Sequence, residues 1–184
     1  MTDLKELWKF AEENNIQQKE EEFYWFLNTI QEHKYKTVLE IGCHKGISTY
    51  CFSQICDLAI GIDKNKYEQW EKYRSDKCVY VLGHSKDSRT IHEVEEISNK
   101  NIDVLFIDGG HGIRQVLYDY EWYNSRVSSG GMIVFHDIAD SVFHRKIRCG
   151  ARKIYERVKH PYKYEEIIIP KDSTWGGLGV LYKP

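Results

Sequence analysis

Five short polar clusters, each directly after an apolar run, hold the residue types that can do chemistry. Glu40-x-Gly42-x-x-x-Gly46 follows Val38–Ile41, and Asp63 follows Leu58–Ile62. Gly83-His84-Ser85 follows Val79–Leu82, Asp108-Gly109-Gly110-His111 follows Val104–Ile107, and His136-Asp137 follows Met132–Phe135. Gly42 lacks a Cβ, so it can turn the backbone tightly and bring it close to a ligand. The dinucleotide fingerprint needs glycine at 42, 44 and 47, where the chain has Gly42, His44 and Ile47, so a pyrophosphate cradle is not indicated. Asp63 lies 21 residues beyond Gly42. A carboxylate at that spacing can accept from both hydroxyls of a ribose, or it can cap a helix starting near Asn65. Ser85 can contact a base edge or serve a simple turn, while Asp87 and Ser88 read as caps of the next helix. His111 and His136 carry imidazoles, which titrate near neutral pH and suit a general base; hydrogen bonds between a loop and a strand end are the plain alternative.

These clusters need elements that bring them together. The apolar runs are each the length of a buried strand and recur every 20 to 30 residues, with room for a helix between them. That rhythm predicts β-α-β units and a parallel sheet covered on both faces, with helices near 46–56, 65–74, 88–98 and 112–127. All five clusters then fall at the carboxyl ends of strands, where open α/β sheets bind ligands. A helix near 145–159 precedes strands at Tyr164–Ile169 and Leu178–Tyr182. Their link, Pro170–Gly177, is too short for a crossover helix, so the last two strands are expected to be antiparallel neighbours. Residues 1–36 read as a charged helical extension. Leu4, Leu7, Trp8 and Ala11, then Phe23, Phe26, Leu27 and Ile30, fall at helical spacing, and Lys19-Glu20-Glu21-Glu22 suits a helix N-terminus. This pair either packs on the core or caps a pocket.

The chain has 184 residues, a size that fits one domain with a short appendage. Lys and Arg number 26 against 28 Asp and Glu, a net charge of −2, without the basic excess of a nucleic-acid module. The five cysteines, Cys43, Cys51, Cys56, Cys78 and Cys149, form no C-x-x-C pair, so reduced thiols are expected. The first six residues, Met1 to Glu6, begin no apolar leader, and no apolar run reaches membrane-spanning length. A cytoplasmic protein without membrane or nucleic-acid partners is the expectation. The charged N-terminal helices offer a contact surface for a homo-oligomer. Trp175 with Tyr162 and Tyr164 can form an aromatic wall or pack ordinarily, Trp8, Trp25 and Trp122 read as core, and His144–Arg148 reads as the solvated start of a helix.

Val38-Leu39-Glu40-Ile41-Gly42-Cys43-His44-Lys45-Gly46-Ile47-Ser48-Thr49 resembles motif I of class I S-adenosylmethionine (SAM)-dependent methyltransferases. Ile102–His111, Ser129–Ile138 and Gly177–Val180 are similar to small O-methyltransferases related to rhamnosyl O-methyltransferases and cephalosporin hydroxylase-like proteins. The resemblance spans residues 37–182 and implies a Rossmann-like seven-stranded α/β sheet, mostly parallel with an antiparallel last strand, over a domain of residues 37–184. It implies SAM at Glu40, Gly42, Gly46, Asp63, Ser85 and Asp108, with Glu40 balancing the cofactor ammonium. It implies a small-molecule hydroxyl acceptor, a sugar or secondary metabolite, near Asp108, His111 and His136. Asp108, His136 and Asp137 match the positions that hold a divalent cation, Mg or Mn, in metal-dependent members. His136 stands where an acidic residue is common, and His44 stands where many members have glycine. A catalytically silent SAM-binding or interaction protein, and a hydroxylase-like relative reusing the pocket, are the alternatives.

Overall fold

The computed structural model describes residues 2–169 and 174–184. Its elements run α1 (Leu4–Glu13), α2 (Glu20–His33), β1 (Thr37–Ile41), α3 (Ile47–Ser53), β2 (Leu58–Asp63), α4 (Gln69–Tyr73), β3 (Cys78–Leu82) and α5 (Ser88–Ile97). They continue through β4 (Ile102–Ile107), α6 (Ile113–Tyr123), β5 (Val127–Phe135), α7 (Val142–Lys146), α8 (Ala151–Val158), β6 (Lys163–Ile167) and β7 (Leu178–Tyr182). One seven-stranded sheet has the order β3-β2-β1-β4-β5-β7-β6. Strands β1 to β5 pair in parallel, and β7 runs antiparallel between β5 and β6. The fold is Rossmann-like, with the expected antiparallel last strand.

Strand order reverses between β1 and β4, and that is where Gly42 meets Asp108. Alternation along β1 sorts its side chains to the two faces of the sheet. Val38 joins a core with α1, α2, α3 and α4, built on Leu7, Phe23, Phe26, Phe52, Trp70 and Phe106. Leu39 and Ile41 join the opposite core, with α5, α6 and α8. The Phe26, Phe52 and Phe106 rings meet edge to face at 5.0 to 6.0 Å, so α2 and α3 lock onto the sheet through one aromatic cluster. Truncating any one of these buried rings to alanine costs about 3–5 kcal/mol.

Residues 1–36 therefore contribute to the main core. The turn between their two helices, Asn15 to Gln18, also lines the cavity at the strand ends. Element boundaries differ from expectation in several places, and three of them have a cause visible in the structure. α4 begins at Gln69 rather than near 65, because the Asp63 carboxylate accepts the Asn65 N–H at 2.9 Å and holds that stretch as a turn. The helix expected over 145–159 is two helices, α7 and α8, parted at Ile147–Gly150, where Arg148 takes φ 56°. β5 starts at Val127, since a register shift between its Ile102 and Val104 partners carries Gly130 and Gly131 inside the strand. Pro170–Ser173, part of the link between β6 and β7, lies outside the described residues.

Candidate active site

A cavity of about 800 Å³ opens at the carboxyl ends of β1 to β5. Its walls include Gly42, His44, Asp63, Ser85, Asp108, His111, His136, Asp137 and Trp175. At the β1 end, Gly42 has φ +94°, and a Cβ there would lie 2.3 Å from the Asp108 carbonyl oxygen. Only glycine lets these two neighbouring strands turn outward at the same level.

Asp63 closes this side by accepting two backbone N–H groups, that of His44 at 3.0 Å and that of Asn65 at 2.9 Å. His44 sits at φ 48°, in the left-handed region, and its ring packs edge-on to Tyr67. The imidazole is thereby turned aside while its backbone N–H serves the carboxylate.

Two expected cofactor residues stand back from the cavity. Gly46 is not among its lining residues, and the missing Cβ makes room for Tyr80, whose hydroxyl donates to the Gly46 carbonyl at 2.8 Å. Glu40 is also absent from the lining; it is 1% exposed, beneath α3, and accepts from the Ser48 and Thr49 hydroxyls. Burial pushes its carboxyl up to about 8, against those two hydrogen bonds. The period-two alternation of β1 decides this, for it turns Glu40 to the α3 face instead of along the strand.

Ser85 lines the cavity, but its hydroxyl is already engaged. It donates to Asp119 Oδ1 at 2.6 Å, and Gln115 Nε2 donates to both Ser85 Oγ and Asp119 Oδ1. Asp119 Oδ2 is buried with no hydrogen-bond partner among the described residues. Burial lifts the Asp119 carboxyl to about 6, opposed by Ser85 and Gln115. Asp119 and Gln115 escaped the sequence reading. Both sit inside α6 at helical spacing, where nothing separates a pocket carboxylate from a solvated one.

The other side of the cavity is a network of side chains. Asp108 Oδ1 lies 2.8 Å from His136 Nδ1, and Asp108 Oδ2 accepts from Gln18 Nε2 at 2.7 Å. His136 is 4% exposed. Burial works against its charged form, but Asp108 and Asp137 outweigh it and hold the imidazole up at about 9. Its Nε2 is buried without a partner among the described residues. Asp137 takes φ 62°, a backbone strain that is common where a site aims a side chain. That twist puts its carboxylate between His111 Nδ1 at 3.3 Å, His144 Nε2 at 3.1 Å and the donating Gly176 N–H at 3.1 Å. Burial opposes its charge, yet His136, His111 and His144 hold the Asp137 carboxyl below the usual range. One His nitrogen and two carboxylate oxygens from Asp108, His136 and Asp137 lie within 4.8 Å of one another. That donor set fits a divalent cation.

The N-terminal segment holds the rim from above. Glu22, 1% exposed, accepts from the Ile169 N–H at 3.0 Å and the Gly177 N–H at 2.8 Å. Lys19 lies 5.2 Å from the Trp175 ring centroid, and Trp175 stands edge-on to His136. Tyr162 and Tyr164 take no part in this wall. Tyr162 pairs its hydroxyl with Tyr120, and Tyr164 packs on Tyr155 and Lys159. His144 is buried, so the basic stretch from 144 to 148 is solvated only in part. Trp122 is exposed rather than core. The five cysteines are free.

A family model described as a methyltransferase domain matches residues 39–138, more than half of the chain. This chain belongs to that methyltransferase family. The match runs from β1 through His136 and Asp137, and stops short of α1, α2 and the last two strands. An uncharacterized protein of Acanthamoeba polyphaga mimivirus is 32% identical over 147 residues, covering 71% of this chain and 66% of that protein. The chain thus spans about two thirds of that relative's length. Among solved structures, an O-methyltransferase from Bacillus cereus in complex with S-adenosylhomocysteine (SAH) has a TM-score of 0.70 at 16% identity. It covers 100% of this chain and 92% of its own. MycE, a methyltransferase of mycinamycin biosynthesis with Mg, SAH and mycinamycin VI, has a TM-score of 0.62 at 13% identity over 86% of this chain and 48% of its own. No helix among the described residues is long and apolar enough to cross a membrane.

Proposed function

We propose that this methyltransferase uses SAM to methylate a hydroxyl of a small molecule, a sugar or secondary metabolite. The observation that carries the reading is one continuous cavity in which the Gly42 turn and Asp63 face the Asp108, His111, His136 and Asp137 cluster. Asp63 keeps unused acceptor lone pairs for two ribose hydroxyls. The unpartnered Asp119 Oδ2 suits an amino donor on the base, with Ser85 positioning that carboxylate. Glu40 and Gly46 act through the shape of the turn. The structures with SAH bound in the same fold support this half.

Methyl transfer is an in-line displacement: the acceptor oxygen bonds to the methyl carbon as the carbon–sulfur bond breaks, and sulfur leaves as the neutral thioether of SAH. The protein mainly has to hold the oxygen about 3 Å from the methyl. His111 Nδ1 pairs with Asp137 Oδ2 at 3.3 Å, so His111 Nε2 is left to take the hydroxyl proton. His136 and Asp108 form the floor of this side, and Gln18 ties the N-terminal turn to it. Asp108, His136 and Asp137 would hold a divalent cation, Mg or Mn, which lowers the pKa of a bound hydroxyl. Residues 37–184 form the catalytic unit, and 1–36 supply its lid and part of its core.

Calorimetry with SAM and with NAD tests the cofactor: SAM binds and NAD does not. Methyl release over a panel of hydroxyl compounds, with and without added Mg or Mn after chelation, tests the reaction. Binding of NAD alone overturns the reading, and SAM binding without turnover on any acceptor leaves a silent binding module.

A further inference from the structure

We propose that His111, Asp137 and Cys149 form a second cation site, for a thiophilic divalent ion of the zinc class, on the outer side of the reactive cluster. Their ligand atoms, an imidazole nitrogen, a carboxylate oxygen and a thiol sulfur, all lie within 4.8 Å of one another. This donor set differs in kind from the Asp108, His136 and Asp137 set. Sulfur and imidazole select zinc, whereas carboxylates favour Mg or Mn. Cys149 has no part in the methyl transfer proposed above, and it is set apart from the other four cysteines, which are all buried.

The backbone brings the three residues together. The Gly150 N–H donates to the His111 carbonyl at 2.6 Å, which clamps the break between α7 and α8 onto the loop after β4. Cys149 Sγ faces the Asp137 carbonyl at 3.7 Å, and His111 Nδ1 lies 3.3 Å from Asp137 Oδ2. His144 Nε2 and the Gly176 N–H hold the other carboxylate oxygen, so Asp137 is aimed before any ion arrives. Zinc bonds of about 2.0–2.3 Å need ligands closer together than 4.8 Å. The required closure falls to His111, whose side chain is 48% exposed and has room to swing. Water completes the tetrahedron, and the thiol proton leaves to solvent as the sulfur binds. On the methyltransferase reading, on which this consequence rests, such an ion occupies the base and inhibits turnover without displacing SAH.

The test uses the metal-free chain. Zn²⁺ is titrated in competition with a chromophoric chelator, and Co²⁺ is added to read the thiolate-to-metal absorption band. One Zn²⁺ per chain and a clear Co²⁺ band are expected. Cys149→Ser should weaken Zn²⁺ at least tenfold and remove the band, while Asp108→Asn keeps it. No Co²⁺–thiolate band in the unaltered chain, or a Cys149→Ser loss below tenfold, overturns the proposal. Should Cys149→Ser fail to fold, mass spectrometry of iodoacetamide labelling decides with the unaltered chain. Zn²⁺ must then protect Cys149, and unprotected labelling overturns the site. None of these readouts involves SAM or turnover, so the site and the methyltransferase reading fail separately.

Discussion

The two sides of the cavity are built differently. The Gly42 and Asp63 side is made of backbone turns, and the Asp63 carboxylate is held by residues close in sequence. Asp63 accepts from His44, 19 positions away, and from Asn65, two away. The Asp108 and Asp137 side is a mesh of side chains drawn from the whole chain. Gln18 reaches Asp108 across 90 positions, and Glu22 reaches Gly177 across 155. The family match covers the first side and the strand ends of the second, but not the N-terminal turn or Trp175 that roof it.

Asp108→Ala should break this comparison most sharply. It removes the partner of both His136 and Gln18, so kcat is expected to fall about 10²–10³-fold, the scale of a lost positioning or acid–base contribution, while SAH affinity measured by calorimetry moves less than tenfold. A tenfold or larger loss of SAH affinity would show that the two sides are one unit. Gly42→Ala comes next. Its Cβ has no space against the Asp108 carbonyl and its φ is left-handed, so roughly 1–3 kcal/mol of stability and most SAM binding should be lost, as read by thermal unfolding with and without SAM. Asp63→Asn should weaken SAM about tenfold, the scale of one hydrogen bond to a charged group, with kcat at saturating SAM little changed. Gln18→Ala should cost about 1 kcal/mol, seen as a higher KM for the acceptor and an unaltered Kd for SAH.

The smallest effect sharpens the contrast by pH. Glu40 has a folded value near 8, raised by burial above its ordinary 4.5. The stability linked to this raised value is fully present below about 4.5 and is lost as pH rises through about 8. Glu40→Gln should flatten that decline, measured by denaturant unfolding at pH 5 and pH 8.5. An unchanged slope would mean that Glu40 does not hold its proton in the folded chain.

The strands were legible because each parallel strand carries a short, mostly apolar run, and the cavity residues were legible because they sit at strand ends. The missed residues have a common cause. Asp119 and Gln115 lie on an ordinary helix face, and Gln18 lies in an ordinary polar turn. Glu40 and Gly46 were read as cofactor contacts because they belong to the motif, but alternation along β1 and the Tyr80 ring direct them elsewhere. The split of the last helix had no sequence signal beyond Gly150.

From sequence alone, the order of strands and helices, the glycine turn after β1 and the acidic and imidazole groups at the rim were determined. These depend on local periodicity and on residue chemistry, which each segment carries by itself. Which carboxylate faces the cavity, which is sealed under α3, and how the N-terminal turn reaches Asp108 were decided only by the tertiary structure. Those outcomes depend on packing between distant segments, where a single φ or the direction of one side chain settles whether a charge meets ligand, partner or core.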